Sequence, residues 1–217
     1  MRKVCPELFE LEGAGWVANA FLVQVQAPVV VDTGTPNGGR RIGEELRQAG
    51  ITPELILLTH THYDHAGGAA RLREATGAPI CAPAAERAHF TGGARHRLLA
   101  RAGARAANLG RPVRQPDVDR WLEPGEIIEG LEVVATPGHT LGHTSYRFGK
   151  TLMAGDAFMT GERFREAVPF FVADRAEARR SIEKLARLDL DLAVSGHGPP
   201  IRGAREKLQA LAASFAS

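Results

Sequence analysis

Short apolar runs alternate with amphipathic stretches along this chain, and turn residues separate them. Phe21-Leu22-Val23-Gln24-Val25 and Val29-Val30-Val31-Asp32 read as the two strands of a hairpin, the second running into Thr33-Gly34. Ile42 to Gln48 reads as a helix, with Gly50 suited to the C′ position that closes it. Leu55-Ile56-Leu57-Leu58 is an unbroken apolar run, the pattern of a buried strand. Ala66 to Thr76 then predicts a helix stopped by Gly77, and Pro79 to Ala82 a short strand.

The second half repeats this style. Leu131 to Ala135 predicts a strand ending in Thr136-Pro137-Gly138-His139. Thr144 to Phe148 and Thr151 to Ala154 predict two more, the latter ending at Gly155-Asp156. Arg175 to Leu188 is an amphipathic helix carrying Ile182, Leu185 and Leu188 at helical spacing. Leu192-Ala193-Val194 is a strand that runs into Ser195-Gly196-His197-Gly198, and Ala204 to Ala213 predicts a closing helix. Two blocks of strands, each with helices, point to a sheet-on-sheet core with helices outside. No linker divides residues 1–217, which reads as a single domain. Residues 84–118 interrupt the strand pattern with a helical, arginine-rich insertion, which fits either a lid over a site or a surface elaboration.

Composition narrows the class. The 217 residues can bury a sizeable core, and a formal charge of +2 is small for a protein that coats polyanions. Two cysteines, Cys5 and Cys81, make no disulfide framework. The first thirteen residues carry Glu7, Glu10 and Glu12 with no apolar core of a signal peptide, and no apolar run approaches a membrane span. A cytoplasmic protein with no membrane association is expected, and its oligomeric state is not readable.

Chemistry concentrates in Thr59-His60-Thr61-His62-Tyr63-Asp64-His65, directly after an apolar run. Three imidazoles and a carboxylate within six positions gain little from packing and make a metal site the natural reading. In a helix His60 and His62 would point about 200° apart, so sharing a metal requires extended or loop backbone. Further ligand candidates stand at other strand ends: His139, Asp156 and His197, each beside glycine or a turn residue.

These residues together resemble the metallo-β-lactamase superfamily of hydrolases, over residues 20–200. The resemblance lies in His60-Thr-His62-Tyr-Asp64-His65, then His139, Asp156 and His197, with Val30-Val31-Asp32-Thr33-Gly34, Thr136-Pro137-Gly138-His139-Thr140-Leu141-Gly142-His143 and Gly155-Asp156 as flanks. It implies a four-layer αββα sandwich with a metal site at one edge. By position, His60, His62 and His139 would hold one divalent ion, and Asp64, His65 and His197 a second, with Asp156 bridging. Zinc is the expected metal, with iron or manganese as alternatives. Asp32 would orient a ligand imidazole, and His143 would be structural, because the ligand set is complete without it. A hydroxide shared by the two ions would attack the substrate, with Asp64 orienting it or passing a proton to the leaving group.

Within that superfamily, a carboxylate at Asp156 resembles the glyoxalase II, lactonase and tRNase Z branches rather than true β-lactamases. Glyoxalase II enzymes add a helical glutathione-binding domain, whereas twenty residues follow His197 here, which argues against glutathione thioesters. Phe158 and Phe164 stand where acyl-homoserine lactonases carry a tyrosine, which argues against that substrate. The leading expectation is hydrolysis of a small ester, thioester or lactone, and the arginines of the insertion suit an anionic one. One alternative is a phosphodiesterase or ribonuclease, suggested by seven arginines and no acidic residue between Arg87 and Arg114, although Phe90 is the only aromatic ring there for stacking nucleic acid. The other is a mononuclear iron sulfur dioxygenase using His60, His139 and Asp156. Trp16, Phe158, Phe164, Phe170 and Phe171 are candidate pocket walls, with Phe170-Phe171 suited to an entrance.

Overall fold

The computed structural model describes residues 1–90, 116–161 and 164–215. Most of the insertion expected at 84–118, including arginines 95, 97, 101, 105, 111 and 114, lies outside the described residues. The chain forms two compact units, Met1–Leu122 and Glu123–Ser217.

The first unit is a seven-stranded sheet in sequential order: β1 (Arg2–Cys5), β2 (Leu8–Glu10), β3 (Phe21–Gln24), β4 (Pro28–Val31), β5 (Leu55–Leu57), β6 (Ile80–Pro83) and β7 (Arg120–Leu122). The first four strands run antiparallel, and β4 to β7 are parallel. Register sets Leu22 opposite Val30, Val30 opposite Ile56, and Ile56 opposite Ile80, so one apolar row crosses the sheet. Helices α1 (Pro36–Gln48) and α3 (Ala69–Thr76) bury Ile42, Leu46, Ala69 and Leu72 in the same core as that row.

Two helices of this unit differ from the pattern read in the sequence. Helix α1 begins at Pro36 rather than Ile42, because Thr35 accepts a hydrogen bond from Gly38 N–H and Pro36 takes the first helical position. Gly50, with φ of 67°, follows its end as expected. The helix read over Ala66 to Thr76 is two pieces, α2 (Tyr63–Ala66) and α3, parted at Gly67-Gly68. Backbone contact explains the break. A Cβ on Gly68 would lie 2.3 Å from the Thr33 carbonyl oxygen, and one on Gly39 would lie 2.1 Å from the Gly68 oxygen. Gly68 N–H also donates to Gly34 O at 2.8 Å, which seats the chain after the histidine cluster against the turn after β4. A fourth short helix, α4 (Arg87–Phe90), follows a 3-10 turn at Ala84–Glu86.

The second unit is a six-stranded sheet built from β8 (Ile127–Ile128), β9 (Leu131–Ala135), β10 (Thr144–Phe148), β11 (Thr151–Met153), β12 (Leu192–Val194) and β13 (Ile201–Arg202), ordered β13-β12-β11-β10-β9-β8. Only β11 and β12 are parallel. Leu152, Ala193 and Ile201, neighbours across three strands, pack with Ile182, Leu185 and Leu208 of α5 (Arg175–Leu185) and α6 (Ala204–Ala213). Asp174 caps α5 by accepting from Glu177 N–H at 3.0 Å. The helix ends at Leu185 rather than Leu188, and Leu188 still packs partly buried on this core. Both cysteines are free thiols, Cys81 buried and Cys5 half-buried. Among the described residues, no helix is long and apolar enough to cross a membrane.

One charge cluster braces α5. Arg179 donates to Glu166 at 3.1 and 2.8 Å and Arg175 at 3.1 and 3.2 Å, while the Arg179 guanidinium lies 4.6 Å from the Phe215 ring centre. The Arg179 hydrogen bonds, helped by Arg175, hold the Glu166 carboxyl down to about 2.

Two predictions test these packing arguments. Gly39→Ala should destabilise the fold by about 1–3 kcal/mol through overpacking. Gly50→Ala, where the added carbon meets open space, should cost only the left-handed backbone penalty of about 1–2 kcal/mol. Denaturant melts of both variants measure the difference. Because the folded carboxyl of Glu166 titrates below its ordinary value near 4.5, its stabilisation should be full above about pH 4.5 and vanish as pH falls towards 2. The stability gap between wild type and Glu166→Gln, followed against pH, should therefore close across that window.

Candidate metal centre

In the first unit the site begins with strand β5, which delivers the chain to Thr59 at its C-terminal end. His60 to His62 is not helical, and His62 has φ −63° and ψ 148°, as the spacing of its imidazole with that of His60 requires. The His60 ring centre lies 4.6 Å from that of His62 and 4.3 Å from that of His65. His60 and His65 are fully buried, whereas His62 and Asp64 are half-buried. Asp64 stands in the first turn of α2, its Oδ2 4.0 Å from His65 Nε2.

Asp32 organises this cluster. It follows β4 with φ of 58°, a left-handed conformation that aspartate tolerates better than most side chains. Its buried carboxylate accepts from Thr59 N–H at 2.9 Å, from Thr59 Oγ1 at 2.8 Å and from His65 Nδ1 at 2.8 Å. These bonds fix protons. A carboxylate only accepts, so Nδ1 of His65 carries the hydrogen and Nε2 keeps its lone pair. Thr59 gives its one hydroxyl proton to Asp32, so it accepts from Nδ1 of His60 at 2.9 Å. His60 is thereby the same tautomer, with its Nε2 lone pair available as a donor to a metal. The His65 carbonyl is held in turn by Thr33 N–H at 2.8 Å and Thr33 Oγ1 at 2.7 Å.

The second unit assembles its donors separately. Asp156 Oδ2 lies 3.3 Å from Nε2 of His139 and 3.3 Å from Nε2 of His197. His139 sits in the turn after β9, where helix α5 grips the backbone. Ser181 Oγ donates to Pro137 O at 2.7 Å, and the segment entering α5 donates from Asp174 N–H to Gly138 O at 2.9 Å and from Ala173 N–H to His139 O at 3.0 Å. Gly138 is required there, with φ of 130° and Ala178 N only 2.2 Å from where a Cβ would stand. After β12, the His197 carbonyl accepts from Ser195 Oγ at 2.7 Å and from Thr160 N–H and Oγ1 at 3.2 Å each. His143 Nε2 accepts the Asp156 N–H at 2.9 Å, so its lone pair is committed to the backbone, and its Nδ1–H faces the Thr136 hydroxyl at 2.9 Å and carbonyl at 3.1 Å.

Imidazole nitrogens and carboxylate oxygens are the donors that a divalent transition-metal ion takes, and both kinds are present in each unit. Apart from Asp32 and His143, the residues holding them carry no signal in the sequence. Thr59, Thr160 and Ser195 leave no trace beyond standing close to a histidine or to Asp156. Among the candidate pocket walls, Phe158 is fully buried in the core of the second unit, with the Phe164 ring 5.0 Å away, so it is a packing residue and not a wall. Trp16, Phe170 and Phe171 are exposed.

Comparison with known proteins agrees with these features. Residues 13–197 match the model of the metallo-beta-lactamase superfamily. The chain is 29% identical over 219 residues to Probable metallo-hydrolase YflN of Bacillus subtilis, covering 86% of this chain and 83% of that protein. It is 33% identical over 172 residues to the hydroxyacylglutathione hydrolase of Acidiphilium cryptum, covering 75% of this chain and 57% of that enzyme. A crystal structure of a protein in a di-iron-bound form matches with a TM-score of 0.69 and 30% identity over 87% of this chain and 91% of the other. With two helix-bearing sheets and this match over most of its length, the chain belongs to the metallo-β-lactamase superfamily and has its mixed α/β fold.

Proposed function

We propose that the protein is a dinuclear metal-dependent hydrolase of a small ester, thioester or lactone. In this reading His60, His62 and His139 hold one divalent ion, Asp64, His65 and His197 hold the other, and Asp156 is shared. The observation that carries it is the Asp156 carboxylate, one oxygen of which lies at equal distance from the Nε2 atoms of His139 and His197. A shared carboxylate of this kind suits two cations better than one. Zinc fits the imidazole-rich donor set, and the di-iron-bound relative makes iron the second metal to test.

Divalent ions bound there would lower the pKa of water from 15.7 to about 7 and polarise a substrate carbonyl. The chain's own residues do the rest. Asp32 keeps His60 and His65 in the tautomer whose Nε2 donates, directly for His65 and through Thr59 for His60. His143 fixes the backbone of Asp156. Asp64, partly open to solvent at 28% exposure, would orient the water or pass a proton to the leaving group. The hydroxyacylglutathione hydrolase and metallo-hydrolase relatives support a small-molecule substrate. The free thiols are compatible with a reducing cytoplasm.

Elemental analysis of zinc- and iron-loaded protein should find about two ions per chain, falling to one or fewer in Asp156→Ala. Finding at most one ion in wild type, with oxygen consumed in the presence of a persulfide, would instead favour the mononuclear dioxygenase. Asp64→Asn should lose about 100- to 10,000-fold in kcat on whichever ester, thioester or lactone a substrate panel identifies, and elemental analysis of the variant separates a proton-transfer role, with both ions kept, from ligation, with one lost. Turnover of phosphodiesters alone in that panel would overturn the substrate class.

A further inference from the structure

We propose that Glu86 is a positioning residue for the His60–His62 span, acting through Thr61 as Asp32 acts through Thr59. The inference rests on the metal-dependent reading above.

In the first sheet β5 lies between β4 and β6. Each neighbour is followed by a carboxylate that reaches the chain leaving β5: Asp32 directly after β4, and Glu86 at the end of the 3-10 turn that follows β6. Glu86 is fully buried. A carboxylate taken out of water costs several kcal/mol unless hydrogen bonds compensate it, so packing alone does not account for a glutamate at this position. Its Oε2 accepts two of them from one residue, Thr61 N–H at 3.1 Å and Thr61 Oγ1 at 2.7 Å. Asp32 does the same to Thr59, accepting its N–H at 2.9 Å and its Oγ1 at 2.8 Å.

The two threonines alternate with the two histidines, so each of Thr59 and Thr61 is pinned at backbone and side chain by its own buried anion. Thr61 is the residue between His60 and His62. Holding its N–H and hydroxyl at one point fixes the backbone that separates the two rings, and with it their 4.6 Å spacing. Without Glu86, two buried donors of Thr61 would need new acceptors, and the span would turn to find them. The two rings would then no longer present their donor atoms together.

The test measures Zn2+ affinity by competition with a chromophoric chelator, alongside the visible absorption of the Co2+-loaded protein. Glu86→Ala and Thr61→Val should each weaken binding about 10- to 100-fold and alter the Co2+ spectrum, and the double variant should be little worse than either. Glu86→Gln keeps an acceptor oxygen at the same reach, so it should recover most of the affinity and the wild-type spectrum. If Glu86→Ala does not fold, as judged by circular dichroism, Thr61→Val decides alone, since it removes a single hydroxyl. Wild-type Zn2+ affinity and spectrum in the folded variants would overturn the role of Glu86 and leave the hydrolase reading standing. Failure of wild type itself to bind Zn2+ or Co2+ would overturn that reading, and this inference with it.

Discussion

The carboxylate of Asp32 is the constraint from which the histidine cluster of the first unit follows. It is buried, it ends a strand, and it accepts hydrogen bonds from the backbone and hydroxyl of Thr59 and from the ring of His65, 33 residues away. One anion therefore ties the end of β4 to the end of β5 and to the start of α2. It also decides where the protons on two imidazoles reside, since an acceptor-only group forces its neighbours to donate. The backbone at Asp32 adopts a left-handed conformation to reach this position, a cost that three charge-assisted hydrogen bonds offset.

The candidate donors of the second unit are held by different means. Here the backbone, rather than the imidazole, is what the surrounding residues hold. Ser181, Ser195 and Thr160 donate to the carbonyl oxygens of Pro137 and His197, and Gly138 lets α5 approach closely enough for its first turns to engage the His139 loop. His143 accepts the Asp156 N–H at Nε2, and its Nδ1 faces the carbonyl and hydroxyl of Thr136, so both nitrogens serve to hold the loop. Strands with complementary apolar rows bring these loops to the sheet ends, where small residues and hydroxyls then hold them.

Much of the fold was legible in the sequence where burial imposes a strong pattern. Strands β9 and β10 and helix α6 have the bounds that the apolar pattern predicts, because each buries a regular face. Strands β1, β2, β7, β8 and β13 were not recognised. All are short, and none carries three consecutive apolar residues, the run that marks equally short strands such as β5 and β12. The start of α1 was written locally in Thr35-Pro36 but is masked by the glycines that follow, which lower helical character while serving close contact with Gly68. The break at Gly67-Gly68 has the same origin, a backbone approach whose partner lies elsewhere in the chain.

What the sequence determined by itself is the inventory: three imidazoles and a carboxylate at the end of one apolar run, further donors at the ends of three others, and glycines or turn residues beside them. Those features are local, and local pattern is what periodicity and turn chemistry report. Only the tertiary structure decided which nitrogen of His60 and His65 carries the proton, that His143 spends its lone pair on a backbone amide, that Phe158 is core, and that Glu86 faces Thr61. Each of these depends on a hydrogen bond or packing contact between residues distant in sequence. Such pairings carry no signature in either partner alone, because a buried carboxylate and a surface one are the same letter until the fold surrounds one of them.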